Sequence, residues 1–227
     1  IEKDESELYF IEKNVEINDT FYEKRRNGEN DEEICQIIRK DSIEDFIIYI
    51  NKNDYNLNNK IKTSIFETNC DLLQFKNQSL IEYAAFFGSI QIIKYLTKNG
   101  VSITPTVFTY SIHGQNPELI HFLENIFKLN TDFAIKYILE SIKCHHNDIT
   151  NYLFNNYLNN EQAKSIFDKS MPYSTFCIEC HNFAFINNFF ICQSTLFFLC
   201  KYDYPFLLYL LLKNCYIDIN HVIIICF

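Results

Sequence analysis

The stretch from residue 78 to residue 103 constrains the fold of this chain more than any other part. Its apolar residues fall into two short runs, and each run has the three- and four-residue spacing of one helix face. Gly88 separates the runs, and glycine adopts the left-handed backbone of a tight turn without steric cost. Ser79 and Glu82 have the spacing of a capping box at the start of the first run. The stretch therefore predicts an antiparallel helical hairpin that turns at Gly88 and ends at Gly100.

A hairpin of this length cannot bury both of its apolar faces alone, so other hairpins must stack on it. The stretch resembles an ankyrin repeat, whose pattern reads T-P-L-H-x-A-A-x-x-G, followed by an apolar second helix and G-A-x-x-N. Ala84, Ala85 and Gly88 match the A-A-x-x-G part, and Gly100 follows at the required interval. Glu82 replaces the usual histidine, so the family's hydrogen bond between helix and loop is not expected here.

Weaker copies of the pattern follow towards the C-terminus. A copy near the end of the chain has Asp203 at the glycine position, and degenerate copies in between have their turns near Gly114, His145 and His181. The intervals between successive turns are mostly shorter than the ~33 residues of a standard repeat. The chain thus resembles a divergent ankyrin array, of the kind expanded in some protist genomes, in which the β-hairpin finger is shortened or absent.

The resemblance implies an all-α fold, a solenoid of stacked helical hairpins. Residues 1–75 match no repeat well, although Ile34 to Ile50 has the pattern of a helical pair that breaks at Asp41. A solenoid needs a cap with a polar outer face at its end. We therefore expect a helical N-terminal segment or cap over residues 1–75 and an ankyrin-like array over residues 76–227.

Composition narrows the class of function and the compartment. A hydrophobic content of 48%, with 22 Phe and 15 Tyr, is too high for a disordered chain. The net charge of −9 argues against a general nucleic-acid binder, because phosphate contacts need a basic face. The 9 cysteines are scattered at irregular spacing, which suits reduced thiols better than a disulfide framework. We therefore expect a cytoplasmic protein.

The resemblance also implies a binding surface. In ankyrin stacks the first helices line a concave face, exposed at the residue before the A-A pair and the two residues after it. By alignment, the exposed positions here are Tyr83, Phe86, Phe87, Thr109, His113, Glu140, Lys143, Cys144, Lys201 and Tyr202. Clustered exposed aromatic residues are typical of binding hot spots. We expect a non-catalytic protein–protein interaction module or scaffold, while the packing of Phe86 and Phe87 on the N-terminal segment stays an open alternative.

A second class of function is metal binding. Cys177, Cys180 and His181 form a C-x-x-C-H string, which is the pattern of haem attachment and offers three possible zinc ligands. Cys192, His145 or Cys144 would then supply a fourth zinc ligand. A structural zinc site usually pairs two such close-spaced knuckles, and this chain has one. The favoured interpretation is small apolar cysteines in a degenerate repeat, so no metal or cofactor is predicted.

Two remaining possibilities are an enzyme and a membrane protein. Cys144, His145 and His146 are adjacent, and neighbours on a helix do not face each other as a nucleophile and its base must. The chain contains no phosphate-binding loop, zinc-protease motif or nucleophile elbow, so no enzymatic activity is expected.

Residues 181–200 carry no formal charge, which raises the alternative of a membrane-associated protein. The repeat register also explains these residues as two short buried helices, which is the favoured interpretation.

Overall fold

The computed structural model describes residues 17–74, 77–158, 173–188 and 193–214. Within these ranges the secondary structure is helical, and the one β-type pairing is an isolated antiparallel bridge between Lys60 and Ser79. The all-α class is therefore confirmed for the described residues. The chain divides into two compact units, residues 1–103 and residues 104–227. The expected division into a cap over 1–75 and an array over 76–227 stays a prediction.

The first unit consists of two helical hairpins and two further helices. In chain order the helices are α1 (Asp19–Asn27), α2 (Glu33–Arg39), α3 (Ile43–Lys52), α4 (Cys70–Gln74), α5 (Leu80–Phe86) and α6 (Ile90–Lys98). Helices α2 and α3 form one hairpin, and α5 and α6 form the other. The hairpins stack in parallel register, because α2 contacts α5 and α3 contacts α6. Fully buried apolar side chains such as Ile38, Phe46 and Ile93 fill this unit.

The second unit continues with hairpins of the same kind. Its helices are α7 (Pro105–Gly114), α8 (Pro117–Phe127), α9 (Thr131–Lys143), α10 (Asn147–Tyr157), α11 (Tyr173–Glu179), a 3-10 helix (Phe183–Asn188), α12 (Gln193–Lys201) and α13 (Pro205–Asn214). Each first helix packs against the second helix of its own hairpin. The first helices also contact one another in sequence, α7 with α9, α9 with α11 and α11 with α12. These four helices therefore form one continuous row.

The described hairpins share one turn conformation. The turn residue has a left-handed backbone in each, with φ of 50° at Asp41, 67° at Gly88, 49° at Gln115, 60° at His145, 57° at His181 and 56° at Asp203. At all of these turns except Gln115, the next residue donates its backbone N–H to the carbonyl five residues back. That bond closes a Schellman motif and satisfies a carbonyl that the helix end leaves free. The turn expected at Gly114 lies one residue later, since Gly114 is still helical.

Local sequence signals set the ends of these helices. The capping box predicted at α5 is present, because the backbone N–H of Ser79 donates to Glu82 Oε2 at 2.9 Å and the Ser79 side chain accepts from the backbone of Glu82. Proline stands at the first position of α7, where its missing N–H costs nothing. The pair of helices predicted between Ile34 and Ile50, with a break at Asp41, is confirmed.

Polar side chains at the turns link each hairpin to the next. Ser89 directly follows the Gly88 turn, and its hydroxyl donates to the carbonyl of Ile38 at 2.6 Å. In the second unit Asn182 follows the His181 turn and donates to the carbonyl of Ile142 at 3.0 Å. The two links are equivalent, since each acceptor lies three residues before the turn of the preceding hairpin. This recurrence shows that both units stack their hairpins in the same register.

Candidate functional site

The row of first helices in the second unit brings a polar cluster together. His113 lies in the last turn of α7, Glu140 and Lys143 lie in the last turn of α9, and Cys144 directly follows α9. All of these positions were predicted from the repeat alignment to lie on one face. Because α7 packs against α9 in register, their C-terminal ends meet and the side chains come into contact.

His113 is at the centre of this cluster. Its Nε2 lies 3.0 Å from Glu140 Oε1, and Lys143 Nζ lies 3.6 Å from the same oxygen. Cys144 Sγ lies 3.5 Å from His113 Nδ1 and 3.6 Å from Nε2, and 3.9 Å from Glu140 Oε1. The His113 side chain is 7% exposed and that of Glu140 is 17% exposed, whereas Lys143 extends to solvent at 40%. The cluster is thus largely shielded and opens on the side of Lys143.

Electrostatics keep the Glu140 side chain ionised. Burial would raise the pKa of Glu140, but the hydrogen bond with His113 and the charge of Lys143 outweigh burial and hold the pKa below its ordinary value. An ionised carboxylate accepts hydrogen bonds only, so His113 donates through Nε2–H.

The geometry of Cys144 differs from that of a nucleophilic cysteine and its base. A Cys–His pair in catalysis needs a directed hydrogen bond from sulfur to one ring nitrogen. Here Sγ is almost equidistant from the two nitrogens, at 3.5 and 3.6 Å, so it lies in line with neither lone pair. The arrangement offers three donor atoms of different kinds, sulfur, nitrogen and oxygen, at close range.

The predicted aromatic positions of the first unit require a correction. Tyr83 is 2% exposed and Phe86 is 7% exposed, so the expectation that both face solvent is wrong. Arg39, from the end of α2, covers Tyr83. Its Nε donates to Tyr83 Oη at 2.9 Å, and its guanidinium lies 4.4 Å from the centroid of the half-buried Phe87 ring. The alternative of packing on the N-terminal segment is borne out for Phe87, which Arg39 contacts.

Arg39 itself is held by acidic partners. Its Nη2 lies 2.7 Å from Glu67 Oε2, and its Nη1 lies 3.1 Å from Glu29 Oε1. The Arg39 side chain is 14% exposed and that of Glu67 is 7% exposed. The repeat alignment missed this network because its acidic members come from the loops around α1 and α4, which match no repeat. The sequence signal that could have revealed this network is a charged residue, Arg39, located one hairpin before the aromatic residues that it contacts.

Among the remaining predicted positions, Lys201 and Tyr202 lie at the end of α12, the last helix of the row, whereas Thr109 lies on α7, the first. Lys201 is exposed, and its Nζ lies 5.3 Å and 5.1 Å from the rings of Phe198 and Tyr202. Tyr202 Oη donates to Glu179 Oε1 at 3.4 Å, which joins α12 to α11. Thr109 is half-buried, and its hydroxyl is the one buried side-chain polar atom of the described residues without a hydrogen-bond partner.

The zinc alternative at Cys177, Cys180 and His181 stays a prediction, and the structure places these three side chains in different surroundings. Cys177 is fully buried, whereas His181 is exposed and its ring contacts the Tyr204 hydroxyl. Burial raises the pKa of Cys177 to about 12 and that of Cys180 to about 11, so both are protonated thiols. Among the described residues, the group of metal-ligating side chains that does converge is His113, Glu140 and Cys144. The fourth ligand considered for zinc, Cys192, lies outside the described residues.

Residues 181–200 do not form a continuous helix in their described part. A 3-10 helix ends at Asn188 and α12 begins at Gln193, while residues 189–192 lie outside the described ranges. Within the described ranges no helix is long and apolar enough to cross a membrane.

Comparison of the chain with protein-family models, with curated proteins and with solved structures finds no match. The resemblance to ankyrin repeats therefore stays a prediction from the sequence motifs, and the structure shows helical hairpins in the described part of the chain.

Proposed function

We propose that this chain is a non-catalytic protein-binding module, a divergent ankyrin array that contacts a protein partner through its row of first helices. The binding surface is the first-helix face of the second unit, made of Thr109, His113, Glu140, Lys143, Cys144, Glu179, Lys201 and Tyr202. One observation carries the proposal. Positions that the repeat alignment assigns to one face do contact each other across successive hairpins, as His113 and Glu140 do at 3.0 Å.

Two further features support an ankyrin-like stack. Both units repeat the same Schellman turn, with Gly88 at the position where the ankyrin pattern has glycine. Ser89 and Asn182 make equivalent links between hairpins in the two units. The described cysteines are free thiols, which suits the reducing conditions of the cytoplasm and makes that compartment part of the proposal.

The chemistry of the exposed groups indicates how a partner would be recognised. Lys143 and Lys201 extend from the ends of α9 and α12, and Glu179 lies between them at the end of α11. Charged groups of both signs on one face contribute mainly to the specificity and the rate of association, and less to the affinity of the complex. We therefore expect the partner to present complementary charges of both signs and its binding to weaken as ionic strength rises.

The experiment compares two pairs of charge reversals in the full-length chain. Lys143→Glu with Lys201→Glu changes exposed lysines in the last turns of two first helices. The control pair, Lys98→Glu with Lys213→Glu, changes exposed lysines in the last turns of two second helices. Both pairs alter net charge and helix-dipole interactions equally. Each protein serves as bait in a lysate of cells in which the chain occurs, with circular dichroism as the check of folding.

We expect the wild-type chain and the control pair to capture the same protein, and the Lys143/Lys201 pair to lose it. If all three baits captured the protein equally, the partner would not bind at the first-helix face. Capture by none of them would contradict the function as a binding module.

A further inference from the structure

We propose that His113, Glu140 and Cys144 form a zinc-binding site that joins two neighbouring helical hairpins. The site goes beyond the proposed partner-binding function, because it needs no partner and has its own measurement. The donor atoms of these three residues lie within 4.8 Å of one another.

The separations of the donor atoms fit one metal ion. In tetrahedral zinc coordination, with bonds of about 2.3 Å to sulfur and about 2.0 Å to nitrogen and oxygen, neighbouring donors lie about 3.3–3.6 Å apart. The separations here are 3.0 Å for nitrogen to oxygen, 3.5 and 3.6 Å for sulfur to the two ring nitrogens, and 3.9 Å for sulfur to oxygen. These separations extend slightly below and slightly above the donor–donor distances that zinc requires. Small rotations of the three side chains would therefore bring the donors to those distances.

The donor set selects the metal. Thiolate and imidazole suit zinc and other late transition metals, whereas calcium and magnesium take oxygen ligands. Three protein ligands leave the fourth tetrahedral position to water. The nearby Cys180 interacts electrostatically with Glu140 and Lys143, but it is not one of the converging donors.

The two hairpins hold the ligands in place before any metal arrives. Glu140 and Cys144 are four residues apart at the end of α9, so they lie on the same side of that helix. His113 comes from α7, which packs directly against α9. A bound ion would therefore cross-link two consecutive first helices and stabilise their stacking.

Binding changes three interactions of the free site. His113 exchanges the proton on Nε2, which is hydrogen-bonded to Glu140, for one on Nδ1 through solvent, because a ring nitrogen binds an ion only through its lone pair. The Cys144 thiol gives up its proton to solvent as sulfur binds the ion, because only the thiolate is a metal ligand. The Lys143 ammonium, 3.6 Å from Glu140 Oε1, is repelled by the ion and moves out on its flexible, 40% exposed side chain. Lys143 thus competes with the metal for Glu140.

The test titrates the reduced full-length chain with zinc chloride by calorimetry and with cobalt chloride by absorption spectroscopy. We expect one ion per chain, proton release, and a thiolate-to-cobalt charge-transfer band. Cys144→Ser should abolish that band, and Cys144→Ser and His113→Gln should each weaken zinc binding by at least about tenfold, since even second-shell changes cost that much. Cys70→Ser, which removes an exposed thiol in the first unit, is the matched control and should leave binding unchanged.

Lys143→Gln keeps the proposal testable if a ligand variant unfolds, because it should tighten zinc binding by removing the competing charge. No binding by the wild-type chain would overturn the proposal. Equal binding by the wild-type chain and Cys144→Ser would do the same, as would a loss of binding confined to Cys180→Ser or His181→Gln.

Discussion

Arg39 joins two acidic side chains of the first unit to the aromatic residues near the end of α5. It bonds Glu67, Glu29 and Tyr83 and lies over the ring of Phe87. Glu67 is the more deeply buried partner, and its carboxylate also accepts from the backbone N–H groups of Asn30 and Asn69. The network thus ties two irregular loops to the aromatic residues of α5.

Arg39→Met tests this network. The substitution leaves the Glu67 carboxylate buried without its cationic partner, which we expect to cost about 3 kcal/mol of unfolding free energy. Arg26→Met, at an exposed position in the last turn of α1, is the control and should change stability by less than about 0.5 kcal/mol. The measurement is equilibrium unfolding in urea. An Arg39→Met variant as stable as its control would show that the ion pairs contribute nothing.

Asp31 gives the first unit a defined dependence on pH. Burial would raise the pKa of Asp31, but hydrogen bonds from Lys24 and Ser64 and the charge of Lys24 outweigh burial and lower it from its ordinary value of 3.8. Since the folded pKa lies below the unfolded pKa, the stabilisation is complete above the unfolded value and is lost as pH falls through the folded value.

Asp31→Asn should therefore destabilise the protein at neutral pH by about 1 kcal/mol or less, as expected for a partly exposed ion pair. The difference between wild type and variant should shrink as the pH falls below about 4. Urea midpoints measured across a pH series give this difference. A stability difference between wild type and variant that stays constant or widens as the pH falls would contradict the interactions assigned to Asp31.

At the scale of the element, the second hairpin depends on the first for the cap of one helix. The N-cap residue of α6 is Ser89, whose hydroxyl bonds the carbonyl of Ile38 instead of capping α6. The carboxylate of Asp41 takes over that role and accepts from the backbone N–H groups of Gln91 and Ile92, each at 3.1 Å. A negative charge at this place also favours the helix dipole.

Asp41→Ala should cost about 2 kcal/mol, of which about half is the lost cap and about half is left-handed strain on alanine. Asp54→Ala is the matched control, because Asp54 also has a left-handed backbone, with φ of 46°, and caps no helix. We expect only the strain, about 1 kcal/mol, at Asp54. Thermal or urea unfolding of both variants separates the two contributions. Equal losses would mean that Asp41 does not stabilise α6.

The recurrence of one turn shows how a chain with few glycines builds a helical repeat. Only Gly88 is a glycine among the six hairpin turns, and the others are Asp41, Gln115, His145, His181 and Asp203. Aspartate and histidine tolerate the left-handed region better than β-branched residues do. At each of these turns except that of Gln115, a Schellman hydrogen bond holds the turn residue in this region, so the hairpin geometry is kept without a glycine.

At the scale of the whole molecule, the same construction recurs in both compact units. Each unit stacks hairpins first helix on first helix, and each links its hairpins through the residue that follows a turn. Stacks of this kind are stabilised mainly by contacts between nearest neighbours. The partner binding that we propose would use a row of equivalent positions, the first-helix face of the second unit.

The sequence by itself determined the helices and most of their ends. Apolar periodicity, the capping box at Ser79, Pro105 and the break at Asp41 are local signals, and helix formation and capping respond to residues within about four positions along the chain. Even the neighbourhood of His113 and Glu140 followed from the repeat alignment, because equivalent positions of stacked hairpins lie side by side.

Only the tertiary structure decided what covers each side chain. Tyr83 and Phe86 have the pattern of exposed positions, yet both are buried, and Arg39 from the preceding hairpin bonds the Tyr83 hydroxyl. The convergence of sulfur, nitrogen and oxygen donors at Cys144, His113 and Glu140 likewise needs two hairpins at a fixed separation. Burial and ligand geometry depend on atoms distant in sequence, whose positions are set by how the hairpins pack, and no local pattern contains that information.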